Sequence, residues 1–266
     1  MKRILLVCHS LERVKEFIER GVAIANSLDA AITLIFIYEV ELFNFFNKER
    51  PHDKADLWKQ LKGYFSEFGR ENAVVLVEEG DSADWVELEL EKESSSLVVI
   101  DYLESVTATV VKRVSVPCLV LKRFSHKYNS ALIATEISQP KECLEFAKNF
   151  ASKITLYMDK LVVPIPYATA PIGDALGGVV DIKVYEEILE QKQEELKSFC
   201  QESSLECSFK SGDDTLENNI LTVASQKGAD LLILSYIDSM TQLGSVVSEI
   251  LDRATTDILI CQRGVE

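Results

Sequence analysis

The sequence is poor in the residues from which most metal and catalytic sites are built. It holds three histidines, His9, His52 and His126, and no CxxC, HExxH or GxSxG motif. Metal clusters draw on His and Cys at fixed spacings, and acyl-transfer enzymes need a nucleophile beside a base. Neither pattern occurs, so no metal site and no catalytic set is expected, and the chain reads as a non-enzyme. Basic residues are scarce as well: 28 Lys and Arg stand against 43 Asp and Glu, for a net charge of −15. A nucleic-acid binder carries a basic face, so neither nucleic acid nor an anionic membrane is an expected partner. A locally held phosphate remains compatible with this charge, because backbone N–H groups at a helix start bind anions without basic side chains.

Long apolar runs are missing too. No stretch approaches the roughly 20 apolar residues of a membrane helix. The run that follows Met1-Lys2-Arg3 is broken by His9, Glu12 and Arg13, too soon for a secretory leader. It reads as a first β-strand of a cytoplasmic protein. Of the six cysteines, Cys8, Cys118 and Cys261 lie in apolar runs, where Cys behaves as a small hydrophobe. Cys200 and Cys207 flank a helix-to-strand turn. Reduced thiols are the expectation there, with disulfide and metal roles left open.

What the chain does have is an internal repeat, and 266 residues suit two domains better than one. Ile4–His9 answers Ala131–Glu136, and Ala31–Ile37 answers Lys153–Met158. Leu97–Tyr102 answers Leu231–Tyr236, Pro117–Leu121 answers Asp257–Cys261, and Gly80-Asp81 answers Gly212-Asp213. The apolar runs are short and nearly continuous, the pattern of strands buried on both faces of a parallel sheet. Helical patterns lie between them. Val14, Phe17, Ile18, Gly21, Ala25 and Leu28 share one helical face; Cys143, Leu144, Ala147, Phe150 and Ala151 share another. A further helix carries Leu216, Ile220, Val223, Ala224 and Lys227. It starts near Asp213-Asp214 with Glu217 following, and Gly228 stops it.

The expected fold class is therefore α/β: two tandem doubly wound five-stranded parallel sheets, over 1–123 and 130–263, joined by a polar linker at 123–129. The last strands of the two halves, Cys118–Leu121 and Ile258–Cys261, could pair within one chain and make an internal pseudo-dimer. A monomer or a homodimer would both be viable. The alternating acids Glu87, Glu89, Glu91 and Glu93, and Glu186, Glu187, Glu190, Glu194 and Glu195, read as solvated helix faces. The irregular stretches 41–56 and 165–181 are the best loops for a protein partner.

Ligands in such folds bind beyond the carboxyl ends of the strands. In the second half these ends are Thr135-Glu136, Val163-Pro164 and Ser235-Tyr236. Gly244-Ser245 opens the last helix, where a Gly lets backbone approach a phosphate and N–H groups face it. Gly-Ser at a helix start is also an ordinary cap.

The stretch Gly212–Leu234, with its Gly-led turn, its helix and Ala229-Asp-Leu-Leu-Ile-Leu234, resembles the universal stress protein family. Gly244-Ser-Val-Val-Ser-Glu-Ile-Leu251 followed by Thr256-Asp-Ile-Leu-Ile260 resembles that family's closing helix and strand. The resemblance covers nearly the whole chain as a tandem member. It implies a flavodoxin-like, adenine nucleotide alpha hydrolase-like fold and a stress-response regulator. Some members bind ATP or AMP, through an acid at the end of the first strand and a Gly-x-x-Gly loop that closes on Gly-Ser or Gly-Thr. Carried onto this sequence, the resemblance implies that Thr135, Glu136, Val163, Ser235, Gly244, Ser245 and Val246 line a nucleotide. The chain departs from the motif in having Ser235 at the first Gly, no second Gly and a shorter loop. In the first half His9 replaces the acid, and only Ser105 stands where Gly-Ser would fall. The alternative is an interaction module of the same fold that binds no nucleotide.

Overall fold

The computed structural model describes residues 2–38, 53–124, 127–134, 141–160, 182–210, 214–237 and 243–263. Within them ten strands form one sheet. In chain order they are β1 (Lys2–Cys8), β2 (Ala30–Tyr38), β3 (Val74–Glu79), β4 (Leu97–Asp101), β5 (Cys118–Leu121), β6 (Tyr128–Ala134), β7 (Ala151–Asp159), β8 (Glu206–Lys210), β9 (Leu231–Ile237) and β10 (Asp257–Arg263). The helices are α1 (Val14–Leu28), α2 (Lys54–Glu67), α3 (Ser82–Lys92), α4 (Glu104–Arg113), α5 (Lys141–Phe150), α6 (Ile182–Glu202), α7 (Leu216–Gln226) and α8 (Leu243–Arg253).

The near-continuous apolar strands are explained by helices on both faces. Alternate side chains of β1 separate: Ile4, Leu6 and Cys8 enter one core with α1, α2, α5 and α6. Leu5 and Val7 enter the other, with α3, α4, α7 and α8. Both faces of the sheet are covered, so the inner strands read as nearly continuous apolar runs, Leu97–Ile100 and Leu231–Leu234 among them.

Strand order across the sheet is β3-β2-β1-β4-β5-β10-β9-β6-β7-β8. Read from either outer edge to the middle, the order of elements is the same. Neighbouring strands run parallel except at the middle, where β5 and β10 pair antiparallel, with Val120 opposite Ile258 and Cys118 opposite Ile260. The two last-strand edges, each exposed in an isolated half, thus satisfy one another, as the sequence leads one to expect.

Polar groups lock this seam. Asp257 is fully buried. Its Oδ1 accepts from Lys122 N and Arg123 N, each at 2.8 Å, and its Oδ2 accepts from the Tyr128 hydroxyl at 2.8 Å. The Lys122 ammonium caps the end of α8, donating to Leu251 O and Ala254 O. It also lies 3.9 Å from the Tyr102 ring centroid. The Tyr102 hydroxyl donates to Asp252 Oδ1 at 3.1 Å.

Helix ends follow local rules. At α7, Ala229 N donates to Ala224 O and Gly228 N to Ser225 O, with Gly228 at φ +60°. This is a Schellman closure, and Gly supplies its left-handed residue without a Cβ clash. The same pair of bonds closes α2 at Gly69 and α6 at Ser204.

The outer strand β3 is guarded. Gly80 N donates to Tyr38 O, so even-numbered residues face β2 and odd-numbered carbonyls point outward. Three of those carbonyls are capped by side chains: Ala73 O by Lys62 Nζ at 2.6 Å, Val75 O by Trp58 Nε1 at 3.1 Å and Glu79 O by Trp85 Nε1 at 3.0 Å. Covering an edge in this way blocks strand addition.

Several expectations need correction. The stretch 123–129 is not all linker: Tyr128 and Asn129 belong to β6, and the Tyr128 ring is buried because its hydroxyl serves Asp257. Glu89 is not a solvated acid. It is 8% exposed and receives Arg3 Nη1 at 3.0 Å, because Arg3 of β1 runs buried beneath α3. Ala151 begins β7 rather than ending α5. The end of the 41–56 stretch is helical: Asp53 caps α2, accepting from Ala55 N. Helix α7 takes Thr215 as its cap residue, while Asp214 Oδ1 binds Thr215 N and Asn218 Nδ2. Residues 41–52, 165–181 and 211–213 lie outside the described residues.

Candidate functional site

Where strand order reverses in an open α/β sheet, the carboxyl ends diverge and leave a crevice. This sheet has two such places, between β1 and β4 and between β6 and β9.

At the first, His9 follows β1 directly. Its Nε2 lies 2.9 Å from Ser82 Oγ at the first residue of α3, and its Nδ1 is buried without a hydrogen-bond partner. Burial lowers the imidazole pKa to about 4. The ring is therefore neutral at pH 7 and offers no charge to an anion. Asp101 ends β4, and burial raises its carboxyl to about 7 against the pull of Arg13. On the same face of the sheet the Cys8 thiol is pushed up, first by burial and then by the Asp101 charge. Only Tyr102 and Leu103 intervene before α4 begins at Glu104. Thr107 Oγ1 accepts from Leu103 N at 2.9 Å, so the helix satisfies with its own side chain a donor that a phosphate would need. Asp101 and Glu104 stand at this end of β4, with Arg13 acting on Asp101 and Lys122 on Glu104. Ser105 is the second residue of α4, the place that Gly244 holds in α8.

At the second, β6 and β9 run parallel with Ala134 opposite Leu234. Ser235 follows in β9 and pairs with Cys261 of β10. Gly244 and Ser245 fall in the first turn of α8. The Val246 side chain is 6% exposed and packs in the core with Val247 and Ile250, so it can offer a ligand only its backbone. Thr135, Glu136 and Val163 lie outside the described residues. Ser235, Gly244, Ser245 and Val246 are thus the expected site residues whose place in the fold is defined.

One polar pair escapes a motif search. Tyr157 and Asp159, both 1% exposed, lie at the end of β7, and the Tyr157 hydroxyl donates to Asp159 Oδ2 at 2.5 Å. Burial, then Asp159, drives the phenol pKa up. The matching residues of β2, Ile35 and Ile37, are apolar. That contrast between the halves was the available signal. Among the described residues no group of His, Cys, Asp and Glu could hold a metal ion, and no helix is long and apolar enough to cross a membrane.

No protein-family model and no curated protein matches the chain. Solved structures do. A protein of unknown function from Pseudomonas aeruginosa PAO1 aligns over 98% of this chain and 92% of its own, with TM-score 0.68 and 13% identity. A candidate universal stress protein from Pseudomonas aeruginosa UCBPP-PA14 aligns over 98% and 93%, with TM-score 0.68 and 14% identity. A universal stress protein from Archaeoglobus fulgidus DSM 4304 aligns over 98% and 96%, with TM-score 0.58 and 14% identity. Likeness at such identities speaks of architecture alone, and by that measure the chain has the fold of the universal stress proteins.

Proposed function

We propose that the chain is a cytosolic regulatory protein of the universal stress type. In this reading it binds one adenine nucleotide, ATP or AMP, at the carboxyl ends of β6 and β9 and does not turn it over. The observation that carries the reading is the asymmetry between the two crevices. In the first, Tyr102 and Leu103 alone join β4 to α4, and Thr107 Oγ1 already takes the Leu103 N–H. In the second, residues 238–242 separate β9 from α8, and Gly244 and Ser245 stand in the opening turn of that helix. A Gly there removes the Cβ that would hold a phosphate away, and the first-turn N–H groups of α8, including that of Val246, supply donors. By the family resemblance, Ser245 would add a donor and Glu136 an acceptor for ribose or base, and Thr135, Val163 and Ser235 would complete the set.

The test is titration of a fluorescent ATP analogue into wild-type protein and Gly244→Val. The variant should lose affinity at least about tenfold, with an unchanged circular dichroism spectrum. Equal affinity in the two proteins would remove the assignment of the site. Absence of binding in both would favour the alternative, an interaction module working through 41–56 and 165–181.

A further inference from the structure

Two cysteines face one another across the junction of α6 and β8. The chain leaves α6 at Glu202, passes Ser204 at φ +55° and folds back, with Leu205 N donating to Cys200 O at 2.8 Å. Leu205, Cys207 and Phe209 alternate along β8 and pack on the core that holds Leu196 and Cys200 of α6. Cys207 packs against the cluster that contains Cys200, and it is the one side chain that, after burial, acts on the Cys200 thiol. In the first half the equivalent places, at the end of α2 and in β3, are held by Phe65 and Val75, both buried. The fold therefore asks only for apolar side chains there, and a facing pair of thiols is a property of this half.

We propose that Cys200 and Cys207 are a reversible redox pair that closes to an intramolecular disulfide when the protein meets a hydroperoxide. Cys207 is half-buried on the outermost strand, whereas Cys200 is 2% exposed. Burial, then its neighbour, pushes the Cys200 thiol up, and the more exposed Cys207 is the thiol that an oxidant reaches first. The Cys207 thiolate displaces hydroxide from hydrogen peroxide, breaking the O–O bond and forming a sulfenic acid. The Cys200 sulfur then attacks the Cys207 sulfur. The S–O bond breaks, and the departing hydroxide leaves as water with the Cys200 proton. The two sulfurs together give two electrons, and the peroxide becomes two waters. Disulfide geometry needs Cα atoms roughly 4.4–6.8 Å apart. An edge strand and a final helical turn are the parts of this fold best able to adjust to that. Cys8, Cys118 and Cys261 lie buried inside the sheet.

The experiment is peroxide treatment of the full-length protein, followed by intact mass and non-reducing peptide mapping. Wild type should lose the mass of two hydrogens, yield a peptide pair joined through Cys200 and Cys207, and recover with dithiothreitol. Cys207→Ser, altered at the more exposed position, should show no such loss. Cys200→Ser should leave a sulfenic acid on Cys207 that dimedone traps. Both thiols still alkylated in full after treatment of the wild type, or a disulfide mapped to another pair, would overturn the proposal. The wild-type map decides even if a variant fails to fold.

Discussion

The buried carboxylate of Asp257 sits where the two halves of the sheet meet, and its removal is the sharpest structural test available. Asp257→Ala deletes the acceptor of three donors: Lys122 N, Arg123 N and the Tyr128 hydroxyl. A buried donor left without a partner costs about 1–3 kcal/mol. The enclosed Tyr128 hydroxyl loses the acceptor of its proton while Arg20 stays beside it; the two backbone groups are part-buried, so water recovers some of their cost. The sum is about 3–4 kcal/mol, a large share of the roughly 5–15 kcal/mol that holds a protein folded. Asp257→Asn keeps one oxygen for the two backbone donors and turns an NH₂ toward a hydroxyl that can accept. It should cost about 1–2 kcal/mol. Urea unfolding gives these values, and the distribution of tryptophan makes it more informative. Trp58 and Trp85 are the only tryptophans, and both lie on the β3 side of the seam, so fluorescence follows that half while far-UV circular dichroism follows both. In wild type the two signals should change together. In Asp257→Ala they should separate, because the seam no longer couples the halves. A loss under about 1 kcal/mol with coincident transitions would refute the reasoning.

Asp101→Asn should change the pH profile of stability. The folded pKa of Asp101 is raised from 3.8 to about 7, so its contribution is complete at low pH and is lost as pH rises through 7. Relative to wild type, the variant should gain about 2–3 kcal/mol between pH 5 and 8, read from urea midpoints; parallel profiles would contradict this. His9 acts in the opposite sense. Its folded pKa is lowered from 6.5 to about 4, so stability falls as pH drops through that window, by about 3 kcal/mol in full. Asp101→Asn should unmask this slope. Trp58→Phe removes the cap on Val75 O and should produce concentration-dependent association in analytical ultracentrifugation, where an unchanged sedimentation coefficient would dismiss the guarded-edge reading. Gly228→Ala places a Cβ at φ +60° and should cost about 1 kcal/mol in thermal unfolding.

The central architecture was legible because burial on both faces leaves a direct mark in the sequence. Leu97-Val-Val-Ile100 and Leu231-Leu-Ile-Leu234 have no polar alternation to hide. The pairing of Cys118–Leu121 with Ile258–Cys261 followed from arithmetic of edges, since each half ended in a strand with one side unpaired. What sequence could not give was the fate of single polar residues. Glu89 stands among exposed acids, and only the buried course of Arg3 beneath α3 singles it out. Tyr128 sits in a polar stretch, and its burial depends on Asp257, far away in the chain. Gly244 and Ser245 were legible as a helix opening, whereas Asp101 and the Tyr157–Asp159 pair were not. An acid closing an apolar run looks like a turn residue until the neighbouring strands are known.

The claim on which the functional account stands is that the crevice beside β6 and β9 takes an adenine nucleotide while the one beside β1 and β4 does not. Isothermal titration of Mg²⁺-ATP into the purified protein, first freed of any co-purified nucleotide, tests it most directly. The account predicts saturable binding with one nucleotide per chain. Two sites per chain would contradict the asymmetry, and no binding heat at several temperatures would contradict nucleotide recognition itself.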